Sequence, residues 1–89
     1  MIVDLESIDR DMAVNAMTKL ESELFGRGAW SEGMVREELA APARTYVFDR
    51  EDDVIRGYAG YWYDGEDAEL MTIGVGTSWQ RSGIAGALL

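Results

Sequence analysis

The sequence predicts an α+β (α/β) domain of order β-α-α-β-β-β-α, with a mostly antiparallel sheet carrying helices on both faces. Three observations carry that prediction. The long helical-looking stretches lie before Pro42, period-two alternation begins at Arg44, and seven of the ten glycines lie at or after Gly57. With 89 residues, 47% of them apolar and 10% aromatic, the chain is one small domain too rich in core-formers for disorder.

Composition narrows the chemistry. There is no cysteine and no histidine, so disulfides, thiol chemistry and the commonest metal ligands and general base are absent. Carboxylates, tyrosines and backbone groups are left to act, and no metal is expected. A net charge of −9 argues against nucleic acid as a partner. No apolar run approaches the roughly 18 residues of a membrane span, and the opening lacks the basic-then-apolar pattern of a secretory leader. A cytoplasmic protein with no membrane partner is the expectation.

Taken in order, Ile2-Val3-Asp4-Leu5 reads as a short strand, and Ser7 or Asp9 can cap the helix that follows. Met12/Ala13, Ala16/Met17, Leu20 and Leu24 recur on one helical face through about Phe25, and Gly26-Arg27-Gly28 ends it. Ser31 restarts a helix whose buried stripe is Met34, Val35 and Leu39, and Pro42 stops it. Thr45 to Phe48 reads as a strand and Arg50 to Asp53 as a charged hairpin turn. Val54 to Tyr63 is a longer strand, with Gly57 and Gly60 as bulges or points of close approach. Asp64-Gly65 signals another hairpin, followed by a strand from Ala68 to Val75. The methionines 12, 17, 34 and 71 are expected to fill the core. After a polar loop, Gly83 to Leu89 begins a helix.

The chemistry is concentrated between Val75 and Gly86. A strand runs into Gln80-Arg81-Ser82-Gly83-Ile84-Ala85 and a helix opens there, an arrangement that can hold an anion. Small residues at Gly83, Ala85 and Gly86 let backbone N–H groups approach phosphate oxygens, and Arg81 supplies a local positive charge. By spacing alone, an ordinary strand-to-helix turn reads equally well. No Gly-Lys-Ser/Thr follows, and the preceding strands read as hairpins, so neither a P-loop nor a dinucleotide fingerprint is present.

These residues resemble motif A of the GNAT acetyltransferases, Gln/Arg-x-x-Gly-x-Gly/Ala, preceded by a strand like Met71-Thr72-Ile73-Gly74-Val75. Upstream, Trp30-Ser31-Glu32 with Arg36-Glu37-Glu38-Leu39 is similar to a stretch of the ribosomal-protein alanine N-acetyltransferase branch. The resemblance implies residues 1–89 are the N-terminal portion of a single GNAT domain that moves an acetyl group from acetyl-CoA to a primary amine. A protein N-terminal amine, such as that of a ribosomal protein, is the first expectation. The alternatives are a small-molecule amine as acceptor, or a truncated, catalytically dead binding module that associates through its last strand edge.

The resemblance also distributes roles. The backbone of Ile73, Gly74 and Val75 would meet the pantetheine arm, and Arg81, Ser82, Gly83, Ile84, Ala85 and Gly86 would hold the pyrophosphate. Phe25, Trp30 and Glu32 would border the acceptor, although Trp30 also reads as a packing residue. The branch's usual base and acid, a Glu and a Tyr, would fall beyond Leu89, so this portion alone is expected to be incomplete. Glu69 is the base candidate within it, placed by strand alternation on the face of Met71 and Ile73, with a merely solvated carboxylate as the alternative. The sequence departs from the pattern at Gly76-Thr77, where Asp-Pro is usual. Ala85 replaces glycine, Gly86 a cation, and Ala29 the proline before Trp30.

Overall fold

The computed structural model describes residues 1–63, 65–80 and 83–89. The elements are β1 (Ile2–Asp4), α1 (Arg10–Phe25), α2 (Glu32–Ala40), β2 (Arg44–Glu51), β3 (Val54–Tyr63), β4 (Ala68–Val75) and α3 (Ile84–Leu88). Short 3₁₀ turns occupy Leu5–Ser7, Gly26–Gly28 and Thr77–Trp79. The strands form one antiparallel sheet in the order β1-β2-β3-β4, which leaves β4 at an edge among the described residues.

Local chemistry explains the helix ends. Of the two candidate caps for α1, Asp9 is used: its carboxylate accepts the Met12 N–H at 3.0 Å. Ser7 instead turns back onto Asp4, donating its N–H at 3.0 Å and its hydroxyl at 2.8 Å. Gly26 ends α1 with φ +55°, a conformation glycine adopts without steric cost. Ser31 caps α2 by accepting the Met34 N–H at 3.2 Å. The helix stops at Ala40, and Ala41 is already extended, as the residue before a proline must be.

The sheet separates two apolar clusters. α1 and α2 lay Val14, Met17, Leu20, Val35 and Leu39 over Tyr46, Phe48 and Tyr58. On the opposite face, Ile84 and Leu88 of α3 cover Ala59 and Val75, with Ile73 and Tyr61 alongside. Helices on both faces account for the aromatic residues on both faces of β3.

Three expectations need correction. First, β2 runs through Glu51, so only Asp52 and Asp53 form the turn, with Asp52 at φ +54°. Second, Met17 is fully buried, but Met34 and Met71 are 49% and 41% exposed and are not core residues. Third, the glycines of β3 are not the bulged residues. The register places the extra residues at Arg56, between the pairs Asp49–Gly57 and Arg50–Ile55, and at Met71, between Gly60–Thr72 and Tyr61–Leu70. Both glycines are instead the points of close approach that the sequence also offered: a Cβ at Gly57 would lie 2.9 Å from the Gly74 carbonyl oxygen, and one at Gly60 2.5 Å from the Tyr46 ring. The Arg56 bulge aims its guanidinium at buried Asp49, 2.6 Å away.

Candidate functional site

β4 builds the site from its backbone outward. In an antiparallel strand, alternate residues turn their N–H and C=O groups toward opposite edges. The Gly76 N–H donates to the Arg56 carbonyl at 2.9 Å, and Tyr58 pairs with Gly74, so these positions of the strand face β3. Ile73 and Val75 therefore present their backbone groups at the open edge. The Val75 carbonyl accepts the Gln80 side-chain amide at 3.1 Å, which agrees with that polarity. Of the three expected strand contacts, Ile73 and Val75 face outward, whereas the Gly74 polar groups are turned into the sheet.

The segment after β4 is fastened on the α1 side. Glu23 accepts the Thr77 N–H at 3.0 Å and the Thr77 hydroxyl as well. Those two bonds, the hydroxyl first, hold the Glu23 carboxyl below its ordinary pKa. Trp79 closes over Gly76, where a Cβ would lie 2.6 Å from the indole. Gly83 has φ +86°, which accounts for glycine there, and its carbonyl accepts the Ala87 N–H at 3.1 Å as α3 begins. Both Gly83 and Gly86 have open space where a Cβ would stand. Ile84 is buried against the sheet. Arg81 and Ser82 lie outside the described residues, as does the Ala85 side chain.

Glu69 is exposed but stands elsewhere than alternation places it. The Met71 bulge shifts the register by one, so Glu69 pairs with Trp62 and Trp62 with Arg44. Cross-strand partners share a face, and Arg44 lies two residues from Tyr46 of the α1/α2 core. Glu69 therefore faces α1 and α2, opposite Ile73 on the α3 face.

The three acceptor-side candidates separate. Phe25 is 49% exposed at the end of α1. Trp30 is half-buried against the α1/α2 cluster and tied to it through its backbone N–H, which donates to Glu21 at 3.1 Å. Glu32 is exposed and engaged with Arg36 at 3.3 Å, and Arg36 also reaches Asp11 of α1 at 3.1 Å, so Glu32 belongs to the outer helix surface.

Sequence reasoning missed Glu21, Tyr58 and Thr72. Glu21 is 3% exposed and accepts the Tyr58 hydroxyl on its second oxygen. Burial, then the adjacent Glu21 carboxylate, pushes the Tyr58 pKa up. The signal was available: Glu21 continues the Val14–Met17 stripe of α1, where a carboxylate is out of place. A second tyrosine, Tyr46, donates to Glu38 at 2.9 Å, and the Arg44 guanidinium lies 2.6 Å from that carboxylate. Burial and the Glu38 bond likewise push the Tyr46 pKa up.

Residues 14–89 match the profile of the acetyltransferase (GNAT) family. The chain belongs to that family. No curated protein matches the sequence. Among solved structures, a ribosomal-protein alanine N-acetyltransferase from Escherichia coli superposes with a TM-score of 0.78 at 19% identity, over 99% of this chain and 53% of its own. An aminoglycoside 6'-N-acetyltransferase complexed with coenzyme A gives 0.82 at 20%, over 99% and 50%. A ribosomal-protein-alanine N-acetyltransferase from Brucella melitensis biovar Abortus 2308 gives 0.76 at 18%, over 99% and 65%. These likenesses establish the GNAT fold. The chain spans about half the length of the first two structures.

Proposed function

We propose that residues 1–89 are the N-terminal portion of a GNAT domain and provide the cofactor strand of an N-acetyltransferase acting from acetyl-CoA on a primary amine. The observation that carries this reading is the edge of β4. In a chain of the acetyltransferase (GNAT) family, Ile73 and Val75 offer outward backbone groups beside a glycine-bearing loop. That edge suits the amides of a pantetheine arm, and the open space at Gly83 and Gly86 suits close approach by an anion.

Acetyl-CoA supplies an activated thioester. The amine nitrogen forms the new C–N bond, the C–S bond breaks, and sulfur leaves with its electron pair and takes up a proton. On this reading Ile73 and Val75 hold the arm, and an outward strand N–H stabilises the charge developing on the carbonyl oxygen. Gly74 supports them from within the ladder. The loop from Arg81 through Ser82, Gly83, Ile84 and Ala85 to Gly86 holds the pyrophosphate. Glu69 withdraws a proton from the acceptor ammonium on the α1/α2 side, where Phe25 and Trp30 border the approach, with Glu32 turned to the outer helix surface.

The acceptor we favour is a protein N-terminal amine, supported by the Trp30-Ser31-Glu32 and Arg36–Leu39 resemblance and by the matched ribosomal-protein enzymes. The matched aminoglycoside enzyme supports a small-molecule amine as the second reading. The charge of −9 suits a cationic acceptor in either case. We place the protein in the cytoplasm.

Isothermal titration of this chain with acetyl-CoA tests the reading. Arg81→Ala and Gly83→Glu are each expected to weaken binding about tenfold or more, through lost or opposed charge-assisted contacts. Absence of binding by the wild type, or equal binding by all three, overturns it. Mass spectrometry of an alanine-initiated peptide and of an aminoglycoside, each offered as acceptor, separates the two acceptor classes.

A further inference from the structure

We infer that Glu21 is a positioning residue that fastens the α1–α2 connection, with Trp30, onto β3 and β4, and so presets the acceptor side of the cleft. The functional half of this inference rests on the acetyl-transfer reading above.

One buried carboxylate joins four parts of the fold. From α1, Glu21 Oε1 accepts the backbone N–H of Trp30 at 3.1 Å, and Oε2 accepts the Tyr58 hydroxyl of β3. A side-chain hydrogen bond between Tyr58 and Thr72 extends this chain of contacts to β4. Thr72 immediately follows the Met71 bulge, where β4 changes which face its side chains occupy. The α1–α2 connection is thereby referenced to the most irregular point of the edge strand.

Packing alone does not account for a carboxylate here. Its neighbours on the stripe are Ala13, Val14, Met17 and Leu20, all buried, and an apolar side chain at position 21 would complete that surface without desolvating a charge. An apolar side chain could not hold the Trp30 N–H. Proton storage is the competing role, and the geometry disfavours it. The carboxylate communicates with Thr72 only through Tyr58, whose proton is held firmly by burial and by Glu21 itself.

The test compares wild type, Glu21→Leu, Glu21→Gln and Tyr58→Phe in this chain. It measures hydrogen exchange at the Trp30 amide, acetyl-CoA affinity, and saturation kinetics with an alanine-initiated peptide. Glutamine retains an oxygen for the Trp30 N–H and an amide donor for the Tyr58 oxygen, so it is expected to behave like wild type. Glu21→Leu is expected to speed Trp30 exchange and raise the peptide KM, each about tenfold, as loss of one buried hydrogen bond predicts. kcat and acetyl-CoA affinity are expected to hold. Tyr58→Phe should speed Trp30 exchange by a smaller factor. Unchanged Trp30 exchange in both Glu21→Leu and Tyr58→Phe overturns the fastening. Loss of kcat in Glu21→Gln, with loss of the rising limb of the pH profile, overturns it in favour of a proton acceptor. Equal losses of peptide and acetyl-CoA affinity overturn the acceptor-side assignment. A wild type that binds no acetyl-CoA overturns the acetyl-transfer reading and, with it, the acceptor-side role; where it binds acetyl-CoA without turnover, the peptide's dissociation constant replaces KM in the same comparison. Trp30 exchange still decides the fastening.

Discussion

On one face of the sheet, α1 and α2 bury Tyr46, Phe48 and Tyr58 beneath Val14, Met17 and Val35, and two tyrosine–carboxylate pairs lock the layers together. On the other, Ile84 and Leu88 of α3 cover Ala59 and Val75, next to an edge whose Ile73 and Val75 backbone groups face outward. The first face holds the larger share of the described buried core. The second exposes the backbone chemistry that an acyl carrier could use. The division has a physical reason: a strand edge is available to a ligand only where the fold leaves ladder positions unpaired, and unpaired positions add little stability.

Phe48→Ala should break the comparison most severely. Removing a fully buried ring costs about 3–5 kcal/mol, and chemical denaturation should show the whole chain unfolding earlier. Gly60→Ala comes next, at about 1–3 kcal/mol by overpacking, because its Cβ would meet the Tyr46 ring at 2.5 Å. Disturbed near-ultraviolet tyrosine dichroism should accompany that loss. Leu88→Ala removes a residue that is also buried, 3% exposed, but from the thinner layer. Its effect should be near the low end for such changes, about 2 kcal/mol. Hydrogen exchange should accelerate in α3 and β4 while β2 stays protected. A uniform loss of protection would show that the two faces are one cooperative layer.

The smallest effect depends on pH. Burial alone would raise the Asp49 pKa, but the hydrogen bonds from Arg56 and the Met1 amine outweigh it, so the carboxyl sits below its ordinary value of 3.8. A depressed carboxylate contributes stability above the unfolded-state pKa and loses it as pH falls through the folded value. Melting temperature should therefore fall on acidification below about pH 4 in the wild type. Asp49→Asn should lower stability at neutral pH and flatten that acid limb. Parallel profiles would contradict the assignment.

The element order and helix caps were legible in the sequence because they depend on neighbours close in the chain. Asp9, Gly26, Ser31 and Pro42 each act within a turn of their own position. The family was legible from the Gln80–Ala85 loop together with the Trp30–Leu39 stretch. What escaped depends on partners distant in sequence. The Met71 bulge exists only in the register of β4 against β3, and it moved Glu69 to the opposite face from Ile73. Glu21 stands out in the sequence as a carboxylate on an apolar stripe, but its partner Tyr58, 37 residues later, appears only in the fold. The polarity of β4, with Gly74 inward and Ile73 and Val75 outward, likewise appears only once β3 is paired.

That polarity is the centre of the account, and an amide-resolved titration of the chain with acetyl-CoA tests it most directly. The Ile73 and Val75 amides are expected to shift and become protected from exchange, while the Gly74 amide, already committed to β3, changes little. Perturbation centred on Gly74, or absent from all three amides at saturating acetyl-CoA, would contradict it.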